Sequence, residues 1–136
     1  MAKRRIYRRF ICGLMALGLA SCGSLMVNGD QSPVVSGEIR SAGGSHVLSQ
    51  RQVESLNSWL GEHRSGWNII LATPPVPDLV VVIKREDGKS ASLDLYSQEG
   101  WKGALTYFGS DSKEDSQASF TAEQVLALRS DLMAPQ

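Results

Sequence analysis

The sequence predicts an α+β domain in which a helix, a four-stranded antiparallel β-meander and a C-terminal helix follow one another. Two helix-start signals, at Ser49 and Thr121, enclose the central region. Between them lie four runs rich in apolar and β-branched residues, which favour strands. Residues 46–136 are about 90 residues, a length that supports one hydrophobic core rather than two.

The first helix is predicted to begin at Ser49. The segment Ser-Gln-Arg-Gln is a capping box, in which the Ser49 hydroxyl accepts from the amide of Gln52 and the Gln52 side chain reaches back. Leu48 and Val53 match the hydrophobic staple. The apolar face then continues at helical spacing through Leu56, Leu60 and His63.

The predicted strands are residues 67–73, 79–85, 91–97 and 105–108. Asp87-Gly88 predicts a two-residue type I′ turn between the second and third runs. That turn would pair Val82 with Leu93 and Val80 with Leu95, which makes one face of the sheet apolar. The helices are expected to cover this face, because an isolated meander cannot bury enough apolar surface.

Two loops stand out between the strands. Residues 73–78 contain three prolines and predict a stiff connector. This connector is interpreted either as a ligand for an aromatic groove or as a loop that shields a sheet edge. Residues 109–119 predict a solvated acidic loop, since their acids lack the order of a calcium-binding loop.

The C-terminal helix repeats the capping pattern of the first helix. Thr121 and Gln124 form a second capping box, and Phe120 with Val125 forms its staple. The two helix segments align with an offset of 72 residues. Duplication and independent selection for good capping both explain this match, and nothing between the helices repeats.

The first 21 residues predict a signal peptide. Five basic residues precede an apolar run at residues 11–20, and Leu19-Ala20-Ser21-Cys22 follows. This stretch resembles the lipobox of bacterial lipoprotein precursors. The resemblance implies cleavage after Ser21, a diacylglyceryl thioether on Cys22 and acylation of the new amino group. The alternatives are a secretory signal without lipid and a transmembrane anchor, for which the apolar run is too short.

The same resemblance implies where the mature protein is anchored. Lipoproteins of enteric-type bacteria usually remain on the inner membrane when aspartate follows the lipidated cysteine, and Gly23 stands there instead. The expectation is therefore the periplasmic face of the outer membrane. Residues 22–45 are rich in glycine, serine and other polar residues, so they predict a flexible tether, with a short strand possible at residues 34–39.

Charge and cysteine count narrow the partners further. Beyond the signal, the chain has nine basic and 14 acidic side chains, which gives a net charge near −5. This balance argues against nucleic acid and against adsorption to anionic lipid, both of which need clustered cations. Cys12 leaves with the signal and Cys22 carries lipid, so no disulfide is expected.

Catalytic signals are few in the sequence, so an enzyme is the less favoured interpretation. His46 and His63 are the only histidines, and no zinc-hydrolase spacing, nucleophile elbow or phosphate-binding glycine loop occurs. Asp94 with Glu99 is a weak candidate for a carboxylate pair. No metal site and no cofactor are expected.

Aromatic residues provide the main binding signal. Tyr96, Trp101 and Tyr107 surround the turn predicted at residues 98–103. Aromatics in turns anchor partner contacts, or they pack back onto a small sheet. The sequence thus predicts a non-enzymatic binding or envelope accessory module with an unknown periplasmic protein partner. The alternative is an inhibitor or immunity protein against a cell-wall-degrading enzyme.

Overall fold

A computed structural model describes residues 32–110 and 112–135 of the chain. Within these ranges there are six strands and two helices, so the predicted α+β class is confirmed. The strands are β1 (Val34–Ser41), β2 (Gly44–Val47), β3 (Leu79–Arg85), β4 (Ser90–Leu95), β5 (Ala104–Phe108) and β6 (Ser116–Ser119). The helices are α1 (Gln50–Glu62) and α2 (Ala122–Met133).

All six strands belong to one antiparallel sheet with the order β2-β1-β3-β4-β5-β6. The predicted four-stranded sheet is therefore too small. The strands β3 to β6 form a four-stranded meander, and the β1-β2 hairpin extends the sheet beside β3. Because β1 begins at Val34, the folded domain includes part of the range 22–45 that the sequence assigns to a tether.

The strand predicted at residues 67–73 is wrong. The only bridge residues in this run are Trp67 and Asn68, of which Asn68 pairs with Gln117 of β6. Trp67 instead turns into the core, where its indole N–H donates to the carbonyl of His63 at 2.7 Å. Ile69 and Leu71 are exposed, so the apolar character of this run does not reflect burial in a sheet.

The sequence missed β2 and β6 because neither has a strong strand pattern. All four residues of β2 are exposed, and β6 reads Ser-Gln-Ala-Ser. The prediction of a solvated loop over residues 109–119 is therefore corrected, because the last four of these residues form β6. A short 3₁₀ turn, Ser112–Glu114, precedes that strand. Pairing with β5 supplies the hydrogen bonds that composition does not predict.

The β3-β4 hairpin forms with a register one residue different from the prediction. Val81 pairs with Leu93, and Val82 pairs with Ser92. The Arg85 amide donates to the Lys89 carbonyl at 2.9 Å, which leaves three residues in the loop instead of two. Within this loop, only Gly88 has a positive φ, 85°, as in a type I turn followed by a left-handed glycine. The extra loop residue shifts every pair and moves Val80 and Val82 off the apolar face.

One face of the sheet and both helices enclose the core. Buried residues from the sheet include Ile39, Val81, Leu93 and Leu105, and those from the helices include Val53, Leu56, Leu60, Val125, Leu128 and Leu132. Both predicted capping boxes are confirmed. The Gln52 side chain also donates to the Leu132 carbonyl at 2.7 Å, which joins the start of α1 to the end of α2.

The strands give the domain two ends. The described chain begins at Ser32, and the carbonyl of Pro33 accepts from the Glu86 amide in the β3-β4 turn. We call this the tether end. The opposite end, the distal end, holds residues 73–78, the turn at residues 96–103 and the start of α2. The seven residues of β3 separate the two ends by roughly 20 Å, at about 3.3 Å per residue.

Candidate functional site

The turn between β4 and β5 positions two of the three predicted aromatic residues. The Trp101 amide donates to the Gln98 carbonyl at 3.0 Å, and Gly100 has φ 81°, as expected at the third position of a type II turn. This turn places the Trp101 ring 5.3 Å from the Tyr96 ring, in an edge contact. Trp101 is half-buried, whereas Tyr96 is buried.

A groove of about 200 Å³ lies at the distal end, beside Tyr96. Its lining includes Tyr96, Lys102, Ala122, Val125, Leu126 and Arg129, so the turn at residues 96–103 and α2 both contribute. Leu126 is 60% exposed and lies outside the core stripe of α2. We call this the distal groove. It combines an exposed aliphatic side chain with two cations.

The proline-rich connector, residues 73–78, borders the same end of the sheet. The Asp78 amide donates to the Leu95 carbonyl at 3.1 Å, and the Gln98 side chain donates to the Val76 carbonyl at 2.9 Å. Arg129 of α2 contacts the Asp78 carboxylate at 2.6 Å. The connector is therefore fixed against β4, the aromatic turn and α2.

The contact with Arg129 affects the pKa of the Asp78 carboxyl group. Partial burial raises the pKa of Asp78, but the hydrogen bond and the positive charge of Arg129 outweigh burial. The net result is a pKa below the ordinary value for aspartate. The contact between Asp78 and Arg129 joins the connector to α2.

Asp94 lies on the sheet face opposite the helices. It pairs with Thr106 across β4 and β5, and the hydroxyl groups of Tyr96 and Thr106 share a hydrogen bond. Burial raises the pKa of Asp94 to about 6, although a hydrogen bond from Ser92 acts in the opposite direction. Burial also raises the pKa of Tyr96.

The weak carboxylate-pair candidate gains no support from the geometry. The Glu99 side chain is 94% exposed and contacts Lys102 at 3.4 Å, whereas Asp94 is half-buried on the sheet. Among the described residues no cluster of three or more His, Cys, Asp or Glu side chains could hold a metal ion. His46 lies exposed on β2, and the His63 ring stacks on Trp59 with centroids 3.9 Å apart.

Tyr107, the third predicted aromatic, lies away from the distal groove. Its ring is buried on the helix-facing side of β5, with the Trp67 ring 6.5 Å away. Its hydroxyl accepts hydrogen bonds from the Arg85 guanidinium at 3.2 and 3.3 Å. Burial raises the pKa of Tyr107. The structure therefore brings Tyr96 and Trp101 together and separates Tyr107 from both.

Sequence reasoning missed Lys102, Leu126 and Arg129. One signal was available for Leu126, because it is an apolar residue outside the α2 stripe formed by Val125, Leu128 and Leu132. The two cations gave no such signal. They meet only because the β4-β5 turn lies beside α2, where the Phe120 amide donates to the Gly103 carbonyl at 2.7 Å.

The predicted signal peptide and Cys22 lie outside the described residues. Within residues 32–110 and 112–135, neither helix has the length and hydrophobicity needed to cross a bilayer. Comparison of the chain with protein-family models, curated proteins and solved structures finds no match in any of the three. Function therefore has to be inferred from the residues and their arrangement.

Proposed function

We propose that this protein is a lipoprotein, anchored through Cys22 in the periplasmic leaflet of the outer membrane, whose domain binds another envelope protein. The anchor rests on the lipobox resemblance of Leu19-Ala20-Ser21-Cys22. The binding role rests on one observation above the others, the exposed apolar lining of the distal groove. The proposed role requires no catalytic step.

The position of the groove suits a tethered binding module. The chain reaches the sheet at the tether end, and the groove lies at the other end, roughly 20 Å away along the strands. Lipid on Cys22 would hold the tether end near the bilayer. The groove would then be presented to the periplasm, where a partner can reach it.

The dimensions of the groove favour a protein contact over a small-molecule site. Pockets that enclose whole ligands usually measure about 300–1,000 Å³. The distal groove is smaller, about 200 Å³. A groove of this size can receive one projecting side chain of a partner, which is how interface hot spots are commonly built.

An inhibitor or immunity protein is the second candidate, and a different surface supports it. A hollow of about 330 Å³ beside α1 and α2 is lined by Glu54, Glu62 and Asp131, with Arg51 as its cation. An acidic hollow of this kind would suit a basic wall-degrading enzyme. Inhibition of a basic lysozyme-like enzyme by the purified protein, lost on charge reversal of Glu54 and Glu62, would favour this candidate.

Photo-crosslinking in intact cells tests the binding role. A benzophenone amino acid is placed at Leu126 in the distal groove, or at Met133 near the other end of the same helix, which is 48% exposed. We expect a discrete crosslinked protein from position 126 and little from position 133. Adducts of equal yield at both positions, or no adduct at either, would contradict the proposal.

A further inference from the structure

The distal groove combines an apolar surface with two cationic side chains. We infer that it accepts an apolar side chain of a partner peptide that carries a carboxylate beside it. This inference rests on the proposed binding function and specifies the chemistry of the partner. It goes beyond the aromatic turn that the sequence singled out, because the cations come from two separate elements.

The apolar part of the groove is formed by α2. Val125 is buried and contributes to the core, whereas Leu126 is 60% exposed. Most of the Leu126 surface stays in water in the folded domain, and a partner that covers it would remove that surface from water. At about 25 cal/mol per Å², covering an aliphatic side chain stabilises a contact appreciably.

The charges around the groove are distributed asymmetrically. Lys102 and Arg129 line it, but their acidic partners Glu99 and Asp78 do not. The groove is therefore lined by two cationic side chains and no acidic one, on a domain whose chain beyond residue 21 carries a net charge near −5. A partner segment with a carboxylate complements this local charge, and a basic segment does not.

Lys102 is available for such a contact at little cost. It contacts Glu99 at 3.4 Å, and the two side chains are 59% and 94% exposed. Exposed pairs of this kind contribute about 0–1 kcal/mol, because water screens both charges. A carboxylate from a partner can therefore replace Glu99 at the ammonium group without a large loss of stability.

Arg129 has hydrogen-bonding capacity that the fold leaves unused. Nη1 contacts Asp78 Oδ2 at 2.6 Å, whereas Nη2 is buried and has no hydrogen-bond partner among the described residues. Buried donors are normally paired, and guanidinium groups favour two-point contacts with carboxylates. Because Nη2 is covered and Nη1 already contacts Asp78, a partner carboxylate is expected to contact Lys102, with the Arg129 guanidinium beside it.

The test uses short peptide probes and the full chain, labelled with ¹⁵N and purified in detergent micelles. The probes are N-acetylated, C-amidated Ala-Phe-Asp, Ala-Phe-Asn and Ala-Gly-Asp. We expect Ala-Phe-Asp to shift the amide signals of Ala122, Val125 and Leu126. Its dissociation constant should be about threefold lower than that of Ala-Phe-Asn, the scale of an exposed charge pair. Ala-Gly-Asp should bind more weakly than either.

A charge variant shows whether the preference for the carboxylate comes from the groove. Lys102→Gln should remove the difference between the Asp and Asn peptides. Lys84→Gln, at an exposed position on β3 near the tether end, should leave the difference unchanged. The inference would be overturned if Ala-Phe-Asp and Ala-Phe-Asn bound with equal affinity. It would also be overturned if Ala-Gly-Asp bound as tightly as Ala-Phe-Asp.

Two further outcomes separate this inference from the proposed function. Octanoate that shifts the same amides more strongly than Ala-Phe-Asp would overturn the peptide assignment in favour of a lipid. Crosslinking at position 126 without a preference for the carboxylate would overturn the inference and leave the binding function standing. Failure of both the crosslink and the peptides would overturn both.

Discussion

Asp94 is the residue whose ionisation conflicts most with its surroundings. Its pKa is raised from 3.8 to about 6 by burial, so the folded protein binds this proton more tightly than the unfolded chain. Its contribution to stability is therefore favourable below about pH 4 and is lost as pH rises to about 6. At neutral pH the folded state contains a partly buried carboxylate that its environment disfavours.

We expect Asp94→Asn to stabilise the domain at pH 7 by about 1 kcal/mol, because the amide carries no charge. One pKa unit corresponds to about 1.4 kcal/mol, and we reduce the full value because Asp94 retains contact with water, which screens the charge. Urea unfolding of the variant and the parent protein at pH 7 and pH 4 measures the effect. The gain should shrink at pH 4, and an equal gain at both values would contradict the burial of this carboxylate.

Trp101 is half-buried, so its removal should have an intermediate cost. We expect Trp101→Ala to lower the free energy of unfolding by about 1–2 kcal/mol, from the lost edge contact with Tyr96 and the surface that the ring covers. Trp67→Ala serves as the comparison, because Trp67 is fully buried and should cost about 3–5 kcal/mol. Chemical denaturation that ranks the two variants in the opposite order would show that Trp101 belongs to the core.

Each helix depends on its capping box for a clean start. In α1 the Ser49 hydroxyl accepts from the Gln52 amide at 3.2 Å. We expect Ser49→Ala to destabilise the domain by about 1 kcal/mol. Ser58→Ala, at an exposed position inside the same helix, should be neutral or slightly stabilising, since alanine favours helices. Equal thermal melting of the two variants would contradict the role of the cap.

The helices could be predicted from sequence because their signals are local. Ser49 and Thr121 each specify a start within four residues. The register of the β3-β4 hairpin could not be predicted from sequence, because a single left-handed residue at Gly88 adds one residue to the loop. The strands β2 and β6 form through pairing with distant segments, so their own composition gives little indication of them.

The distal groove was also beyond prediction, although two of its neighbours were not. Tyr96 and Trp101 could be predicted to share a turn, because both lie close in sequence. Lys102 and Arg129 are 27 positions apart in the sequence, and they line one groove only once α2 lies beside the β4-β5 turn. Tyr107 is predicted to lie beside Tyr96 and Trp101, but it does not. Side chains alternate along β5, so Tyr107 lies on the opposite face of the sheet from Thr106.

At the scale of the whole molecule, the proposed anchor makes a prediction about the membrane. We expect Cys22→Ala to abolish labelling by a palmitate analogue and to release the protein from carbonate-washed membranes, since stable attachment needs two or more acyl chains. Cys12→Ala should retain both properties, because Cys12 lies within the predicted signal peptide. Membrane sedimentation of Cys22→Ala protein after the wash would show that something else anchors the chain.

The proposed binding role depends on the distal groove, and one pair of substitutions on α2 tests it most directly. Leu126→Glu places a negative charge in the groove, and Met133→Glu places the same charge on the same helix outside it. Both side chains are exposed, so both variants should melt close to the parent protein. The measurement is recovery of the envelope partner after chemical crosslinking of intact cells, with no photo-crosslinker at position 126. We predict that Leu126→Glu reduces recovery by more than about tenfold, as loss of an interface hot spot would, and that Met133→Glu leaves recovery unchanged. Equal recovery from both variants would contradict binding through the distal groove.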